Sequence, residues 1–218
     1  MIFKRQQKDP SEQVRAGLAV LRQQHQENNQ RDVGLMNLPK YQRAKQKLVN
    51  VGRDAVPALL DALNAPRAST DTPQGQIDDG VANDIADILG AIGDPRAVGP
   101  LMAQFTSYIV SAQSALAAFP QGIDALIHGL DDSDQFVRSC CIQGLGLAKV
   151  DRPRAAQGIA RAFGDPHAEN RREAALAAWH LGVADPQLIA GLQRLAADDP
   201  SERVRDKAGD ALRQLGRP

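Results

Sequence analysis

Several features that are common in proteins are scarce in this sequence, and each scarcity excludes a class of structure. The 218 residues include only two cysteines, adjacent at Cys140 and Cys141, so neither a disulfide framework nor a cysteine-based zinc site can form. No apolar run approaches the roughly 18 residues of a membrane span. The N-terminal residues turn polar too early for a secretory signal peptide. We therefore expect a cytoplasmic protein that does not associate with membranes.

The sequence also lacks a net charge and has few aromatic residues. Aromatic residues make up 4% of the chain, and 26 basic residues balance 26 acidic ones. A neutral chain has no global attraction to nucleic acid, which argues against a nucleic-acid partner. The balance conceals a local asymmetry, because residues 1–53 hold 11 Lys/Arg against 4 Asp/Glu, whereas residues 54–100 hold 2 against 8.

No run of alternating polarity that would indicate a strand occurs after Asp9, and the apolar residues instead follow a helical spacing. Apolar side chains recur at 0, +3, +4 and +7, which places them on one face of a helix. We call each set of four an apolar stripe. The five stripes are Val56/Leu59/Leu60/Leu63, Val98/Leu101/Met102/Phe105, Ile123/Leu126/Ile127/Leu130, Ala156/Ile159/Ala160/Phe163 and Leu188/Gly191/Leu192/Leu195. The last stripe has glycine at its second position.

A further helix precedes each stripe, and short corners join the two. The pattern predicts these first helices over residues 39–51, 77–92, 107–119, 134–148 and 168–182, an N-terminal helix that opens at Asp9, and a last one from Ser201 to about Leu215. Residues 25–38 are polar and without period, which favours a loop or a frayed helix end. The proline- and glycine-containing segment 66–76 predicts a mobile surface loop. Gly93-Asp94-Pro95 is typical of a tight corner between helices.

Helix pairs that recur every 33 or 34 residues, without strands, predict an all-α protein, a right-handed α-solenoid of about five helix pairs plus terminal helices. In such a fold each pair buries its apolar face against its neighbours. We expect an N-terminal helix and polar linker over residues 1–38, followed by the solenoid over residues 39–218.

The repeated unit resembles the HEAT-like repeats first recognised in phycobilin lyases. Four segments carry the resemblance: residues 89–98 (Leu-Gly-Ala-Ile-Gly-Asp-Pro-Arg-Ala-Val), 132–138 (Asp-Ser-Asp-Gln-Phe-Val-Arg), 181–186 and 199–205 (Asp-Pro-Ser-Glu-Arg-Val-Arg). Residues 9–15 repeat the last of these closely. The resemblance implies HEAT-like helix pairs in which one helix layer lines a concave surface, commonly a protein-binding surface.

Most of the repeated charged residues are interpreted as structural. The aspartates are expected to cap the helices that follow them, and the arginines fall about one turn into those helices. The residues are Asp94, Asp151, Asp165, Asp185 and Asp199, with Arg138, Arg171 and Arg205.

No constellation of residues indicates catalysis, a metal or a cofactor. His25, His128, His167 and His180 lie in different predicted elements without a paired histidine or carboxylate at ligand spacing. Adjacent helical cysteines point about 100° apart, and Cys141 occupies a small core position, so the cysteines are also interpreted as structural. We expect no catalytic, metal-binding or cofactor-binding residues.

The face of the second helices opposite the stripes is the candidate binding surface. Residues one and five places after the start of each stripe form rows along this face, and they include Asp61, Asp124, His128, Gln157, Arg161 and Gln193. The leading hypothesis is a non-enzymatic scaffold that binds another protein on its concave face. The alternative is a subunit of a phycobilin lyase-type system that attaches or detaches a bilin or other tetrapyrrole chromophore.

Two further possibilities remain open. A DNA-repair glycosylase of the HEAT-like type would need a continuous basic lining, which the neutral charge disfavours. The binding surface could also lie at the basic N-terminal end of the chain, at Lys40, Arg43 and Lys47.

Overall fold

The computed structural model describes residues 9–31, 39–107 and 109–216. These residues form helices and turns with no strand among them, which confirms the all-α prediction. The α-helices are α1 (Pro10–Arg31), α2 (Pro39–Val51), α3 (Val56–Leu63), α4 (Pro73–Ile92), α5 (Val98–Ala103), α6 (Ser111–Leu116), α7 (Pro120–His128), α8 (Gln135–Gly146), α9 (Arg152–Ala162), α10 (Ala168–Leu181), α11 (Pro186–Asp198) and α12 (Glu202–Gln214). No helix among them is long and apolar enough to cross a membrane.

The chain divides into two compact units, Met1–Pro100 and Leu101–Pro218. The domain boundary predicted between residues 38 and 39 falls beside residues 32–38, which lie outside the described ranges, and it stays a prediction. The handedness of the predicted superhelix also stays a prediction.

In the first unit, α1 packs along α2, α3 and α4. Val14 and Leu21 of α1 are buried against this surface. The end of α2 is followed by Gly52, whose φ of 70° is close to the 67° of Gly93 at the end of α4, and a 3₁₀ turn over Gly52–Ala55 then leads into α3. Helices α2 and α3 are therefore two helices joined by a corner of the same kind as the one between α4 and α5, as predicted.

The prediction of a loop or frayed end over residues 25–38 is wrong for residues 25–31, which continue α1. Tertiary contacts stabilise this polar turn, because His25 and Asn29 hydrogen-bond to Asp84 and to the carbonyl of Pro73, at 2.8 and 3.5 Å. Residues 32–38 lie outside the described ranges. A helix built from polar residues can thus persist where a neighbouring helix supplies the partners.

Two other helix boundaries differ from prediction. α4 begins at Pro73 rather than residue 77, because the Thr72 hydroxyl accepts a hydrogen bond from Gly75 N–H at 3.0 Å and caps the helix. The segment without helix is therefore 64–72, and its mobility stays a prediction. α6 covers only Ser111–Leu116 of the predicted 107–119, because a 3₁₀ turn ends at Ser107 and extended Phe119 precedes α7.

The second unit contains two layers of helices. α6, α8, α10 and α12 contact one another in sequence as the first layer, and α7, α9 and α11 do so as the second. The stripe residues Ile123, Ile159 and Leu192 are fully buried between the layers. Each helix pair is thus covered by its neighbours, which is the arrangement of an α-solenoid.

A ladder of arginine–aspartate pairs joins successive first-layer helices. Arg138 binds both carboxylate oxygens of Asp165, at 2.7 and 3.2 Å, and Arg171 binds those of Asp199 in the same way, at 2.7 and 3.1 Å. The remaining Nη1 of each arginine donates to the carbonyl six residues upstream, at 2.9 Å for both. These residues are structural, as predicted, since each arginine binds the aspartate that precedes the next first-layer helix and so fixes two successive repeats to each other.

The ladder shifts the pKa values of its members. Burial raises the pKa of Asp165, but hydrogen bonds from Arg138, His167 N–H and Asn170 outweigh it, so the pKa lies below its usual value. The Arg171 guanidinium lowers the pKa of Asp199. Both carboxylates therefore stabilise the fold in their ionised form.

The predicted aspartate caps are confirmed at two of five corners. Asp94 and Asp185 are N-caps, and they accept hydrogen bonds from Arg96 N–H and Gln187 N–H at 3.0 and 2.9 Å. Asp165 and Asp199 instead lie two residues before the N-caps His167 and Ser201, whose N–H groups they accept at 2.8 and 2.9 Å, so they fix the corner ahead of the helix rather than cap it. The prediction is also wrong for Asp151. Its φ of 45° places it in the left-handed region, and its side chain caps nothing.

Candidate functional site

The residues predicted to bind a partner lie on the second helices, but they fall in separate units. Asp61 is on α3 in the first unit and is exposed. The other five lie in the second unit, where all but the half-buried Asp124 are exposed: Asp124 and His128 on α7, Gln157 and Arg161 on α9, and Gln193 on α11. Their accessibility agrees with the prediction, while their role stays a proposal.

Three residues of this row are engaged within the protein. Asp124 pairs with Arg154 at 2.6 Å, and the His128 ring hydrogen-bonds to the Asp124 carbonyl at 2.8 Å. Arg161 pairs with Asp131 at the mouth of a pocket of about 330 Å³ beside the Arg138–Asp165 pair. A partner that used these side chains would have to compete with the existing contacts.

A groove of about 1280 Å³ lies between α1 and α2 in the first unit. We call it the α1/α2 groove. Its walls are Pro10, Glu12, Gln13, Ala16, Gly17 and Val20 from α1, with Lys40, Arg43, Ala44, Lys47, Leu48, Asn50 and Val51 from α2 and Asp54 from the turn that follows.

Small and apolar residues form the floor of this groove. Ala44 and Leu48 are buried, while Val20 and Val51 are half-buried and reach into the open space. The two helices meet at Gly17, where a Cβ atom would lie 2.6 Å from Leu48 Cδ2. A larger residue at position 17 would therefore require the Leu48 side chain to move.

The basic residues of α2 form one rim of the groove. Lys40, Arg43 and Lys47 stand at i, i+3 and i+7, so they share a face of the helix. All three are exposed, and among the described residues none forms an ion pair. Within the described ranges, Lys40 Nζ donates to Gln23 Oε1 at 3.5 Å, and Arg43 Nε donates to the Pro39 carbonyl at 3.0 Å. No carboxylate of the described residues neutralises these charges.

A buried carboxylate fixes the two walls of the groove to α4. Asp84, 3% exposed, accepts hydrogen bonds from His25 of α1 at 2.8 Å, from Tyr41 of α2, and from Lys45 of α2 at 3.0 Å. Lys45 also binds Asp87 at 2.8 Å. One residue thus holds both groove helices in place.

The electrostatics of this cluster favour the ionised carboxylate. Burial raises the pKa of Asp84, yet the hydrogen bonds from His25 and Tyr41 and the charge of Lys45 bring it below its usual value. Burial and the neighbouring Asp84 raise the pKa of Tyr41, which stays a neutral donor. The sequence does not indicate this cluster, because the carboxylate that His25 binds lies 59 residues away.

The two cysteines of the chain lie inside the second unit. Cys140 and Cys141 are free and buried, and burial raises the pKa of Cys141 to about 12, so its thiol is protonated at neutral pH. In the described part of the chain, no three His, Cys, Asp or Glu residues are placed to hold a metal ion.

Comparison with known proteins finds likeness only among solved structures. No family model matches the chain, and no curated protein matches it significantly. Similar structures include the complex of CpcE and CpcF of phycocyanin lyase from Nostoc sp. PCC7120, at 20% identity over 91% of this chain and 96% of that one, with a TM-score of 0.41. Human deoxyhypusine hydroxylase in complex with glycerol is 18% identical over 95% of this chain and 97% of that one, with a TM-score of 0.42.

A designed armadillo repeat protein in complex with the peptide (KR)4 is 16% identical over 96% of this chain and 100% of that one, with a TM-score of 0.47. At identities of 20% or less and TM-scores below 0.5, these likenesses carry neither a family nor an activity over to this chain.

Proposed function

We propose that this chain is a non-enzymatic module that binds another protein, and that the α1/α2 groove is its main binding surface. The observation that carries the proposal is the combination of an apolar floor with three exposed cations that have no acidic partner among the described residues. Protein interfaces have this composition, an apolar centre with a polar rim. The row on α7, α9 and α11 is a second, subordinate contact surface in this proposal.

The test compares proteins captured from the native host by the wild type and by two charge-reversed variants. K40E/R43E/K47E reverses the groove rim, and K149E/R203E reverses exposed basic residues of the second unit that lie outside α7, α9 and α11 as a control. A partner that is retained by the control and lost by the rim variant supports the proposal, once calorimetry with the purified partner reproduces the difference. Equal binding by all three proteins would place the site elsewhere.

A second candidate function is a subunit of a lyase-type system that handles a bilin. The specific observation in its favour is the same groove, because an apolar floor suits the pyrrole rings and Lys40, Arg43 and Lys47 suit their propionates. The buried thiols of Cys140 and Cys141 are poor acceptors, so the chain would hold the chromophore without a covalent bond. Mixing protein and bilin should then shift the visible absorption band, and the shift should vanish in K40E/R43E/K47E. An unshifted spectrum removes this candidate.

A further inference from the structure

The α1/α2 groove combines an apolar floor with a basic rim whose cations have no acidic partner among the described residues. We propose that its ligand is an acidic amphipathic α-helix of a partner protein. This inference rests on the proposed function and names the chemistry of the partner segment. Insertion of an amphipathic helix into an apolar groove is a common mode of peptide recognition.

The charge of the groove selects an acidic helix. Lys40, Arg43 and Lys47 project along one face of α2, whereas Glu12 and Asp54 are the acidic residues among the described ones that line the groove. A basic segment would be repelled, and the sequence of residues 1–8, with Lys4, Arg5 and Lys8 and no acid, does not carry the complementary charge. The complementary ligand is a segment with carboxylates on one edge of its apolar stripe.

The dimensions of the groove fix the spacing of those carboxylates. The α2 wall from Lys40 to Val51 extends about 17 Å at the helical rise, so a partner helix of about three turns covers it. Lys40 and Lys47 are about two turns apart. Acidic residues about one turn apart on the partner therefore meet successive cations, while its apolar residues contact Val20, Ala44 and Val51.

The probe is a stapled, fluorescent helical peptide of about 14 residues, with leucines spaced like the apolar stripes and glutamates along one edge. Two matched peptides carry glutamine or lysine in place of every glutamate. Fluorescence anisotropy should show that the glutamate peptide binds most tightly, the glutamine peptide less tightly and the lysine peptide least. The dissociation constants of the glutamate and lysine peptides should differ by at least about tenfold, and this difference should shrink as the salt concentration rises. Circular dichroism first verifies that each protein variant keeps its helix content.

Reversal of the rim charges is the decisive arm. K40E/R43E/K47E should prefer the lysine peptide, and A16E, which places a carboxylate on an exposed position of the α1 wall, should weaken binding of the glutamate peptide. Equal affinity for all three peptides, or an unchanged order in the rim variant, overturns the acidic-helix inference. If all peptides fail while the rim variant still loses a partner from the host, the inference is wrong and the proposed function stands.

Two other occupants would also contradict the inference. Concentration-dependent dimers of the wild type in sedimentation, abolished by A16E, would assign the groove to a second copy of the chain. Binding of a nucleic-acid duplex in competition with the glutamate peptide would assign the rim to phosphates.

Discussion

Replacing Asp165 by alanine should destabilise the second unit far more than removal of an ordinary helix cap. Asp165 is 9% exposed and accepts hydrogen bonds from Arg138 at 2.7 and 3.2 Å, from His167 N–H at 2.8 Å and from Asn170 at 3.1 Å. Removal leaves the Arg138 guanidinium buried with only carbonyl partners. Breaking a buried pair in this way costs about 3–5 kcal/mol.

Asp185 supplies a matched control within the same unit. It caps α11 through the N–H groups of Gln187 and Leu188, at 2.9 and 3.1 Å, and no arginine binds it in the described part of the chain. Asp185→Ala therefore loses only a cap, which costs about 1 kcal/mol. Because the Arg138 carbonyl contacts survive in Asp165→Ala, we expect the lower end of its range, about 3 kcal/mol.

Denaturant unfolding followed by circular dichroism measures both losses, and thermal melting should show a drop of about 6–12 °C for Asp165→Ala. A double-mutant cycle with Arg138→Ala should give a coupling energy of about 2 kcal/mol. If Asp165→Ala costs no more than Asp185→Ala, the ladder contributes only caps and our account of how the repeats are joined is wrong.

Three further predictions concern other parts of the chain. The double variant H128A/R161A should unfold within about 1 kcal/mol of the wild type in denaturant, because both residues are exposed, and a larger loss would show that the row is structural. Hydrogen bonds from Arg96 lower the pKa of Asp94 to about 2, against 3.8 in the unfolded chain, so the stability that Asp94 supplies is complete above about pH 4 and is lost as pH falls to 2. Asp94→Asn should flatten acid-unfolding curves in that window, and an unchanged slope would contradict the pKa. Gly146→Ala should lower the free energy of unfolding by about 1–3 kcal/mol, because the new Cβ would lie 2.9 Å from the Ala177 backbone. Gly99→Ala has open space around it and should raise that free energy by about 0.5–1 kcal/mol. Equal effects of the two substitutions on Tm would refute the close approach of α8 and α10.

The sequence was sufficient to predict the helices whose burial is periodic. The apolar stripes, such as Ile123/Leu126 on α7, identify a buried face without knowledge of its neighbours. The repeat also indicates that Arg138 and Arg171 play the same part, but their binding to the aspartate of the next repeat is visible only in three dimensions. Local patterns report burial better than they report partners.

The candidate site depended mainly on contacts that are distant in sequence. His25 and Tyr41 meet at Asp84 across 59 and 43 residues, and no local pattern indicates that a polar stretch of α1 will find such a partner. The basic residues of α2 were recognised as an alternative surface from composition. Their position along an apolar groove follows from the packing of α1 on α2, which spacing alone does not specify.

The location of the bound partner is the most direct test of the central claim that the α1/α2 groove is the binding surface. Titration of the glutamate peptide, or of the purified partner, into isotope-labelled protein would map the contact by backbone chemical shifts. We predict that the largest shifts occur at Ala16, Val20, Ala44 and Lys47, with smaller shifts or none on α7, α9 and α11. Shifts confined to His128, Arg161 and Gln193 on the second-layer helices, with the groove residues unaffected, would contradict the account.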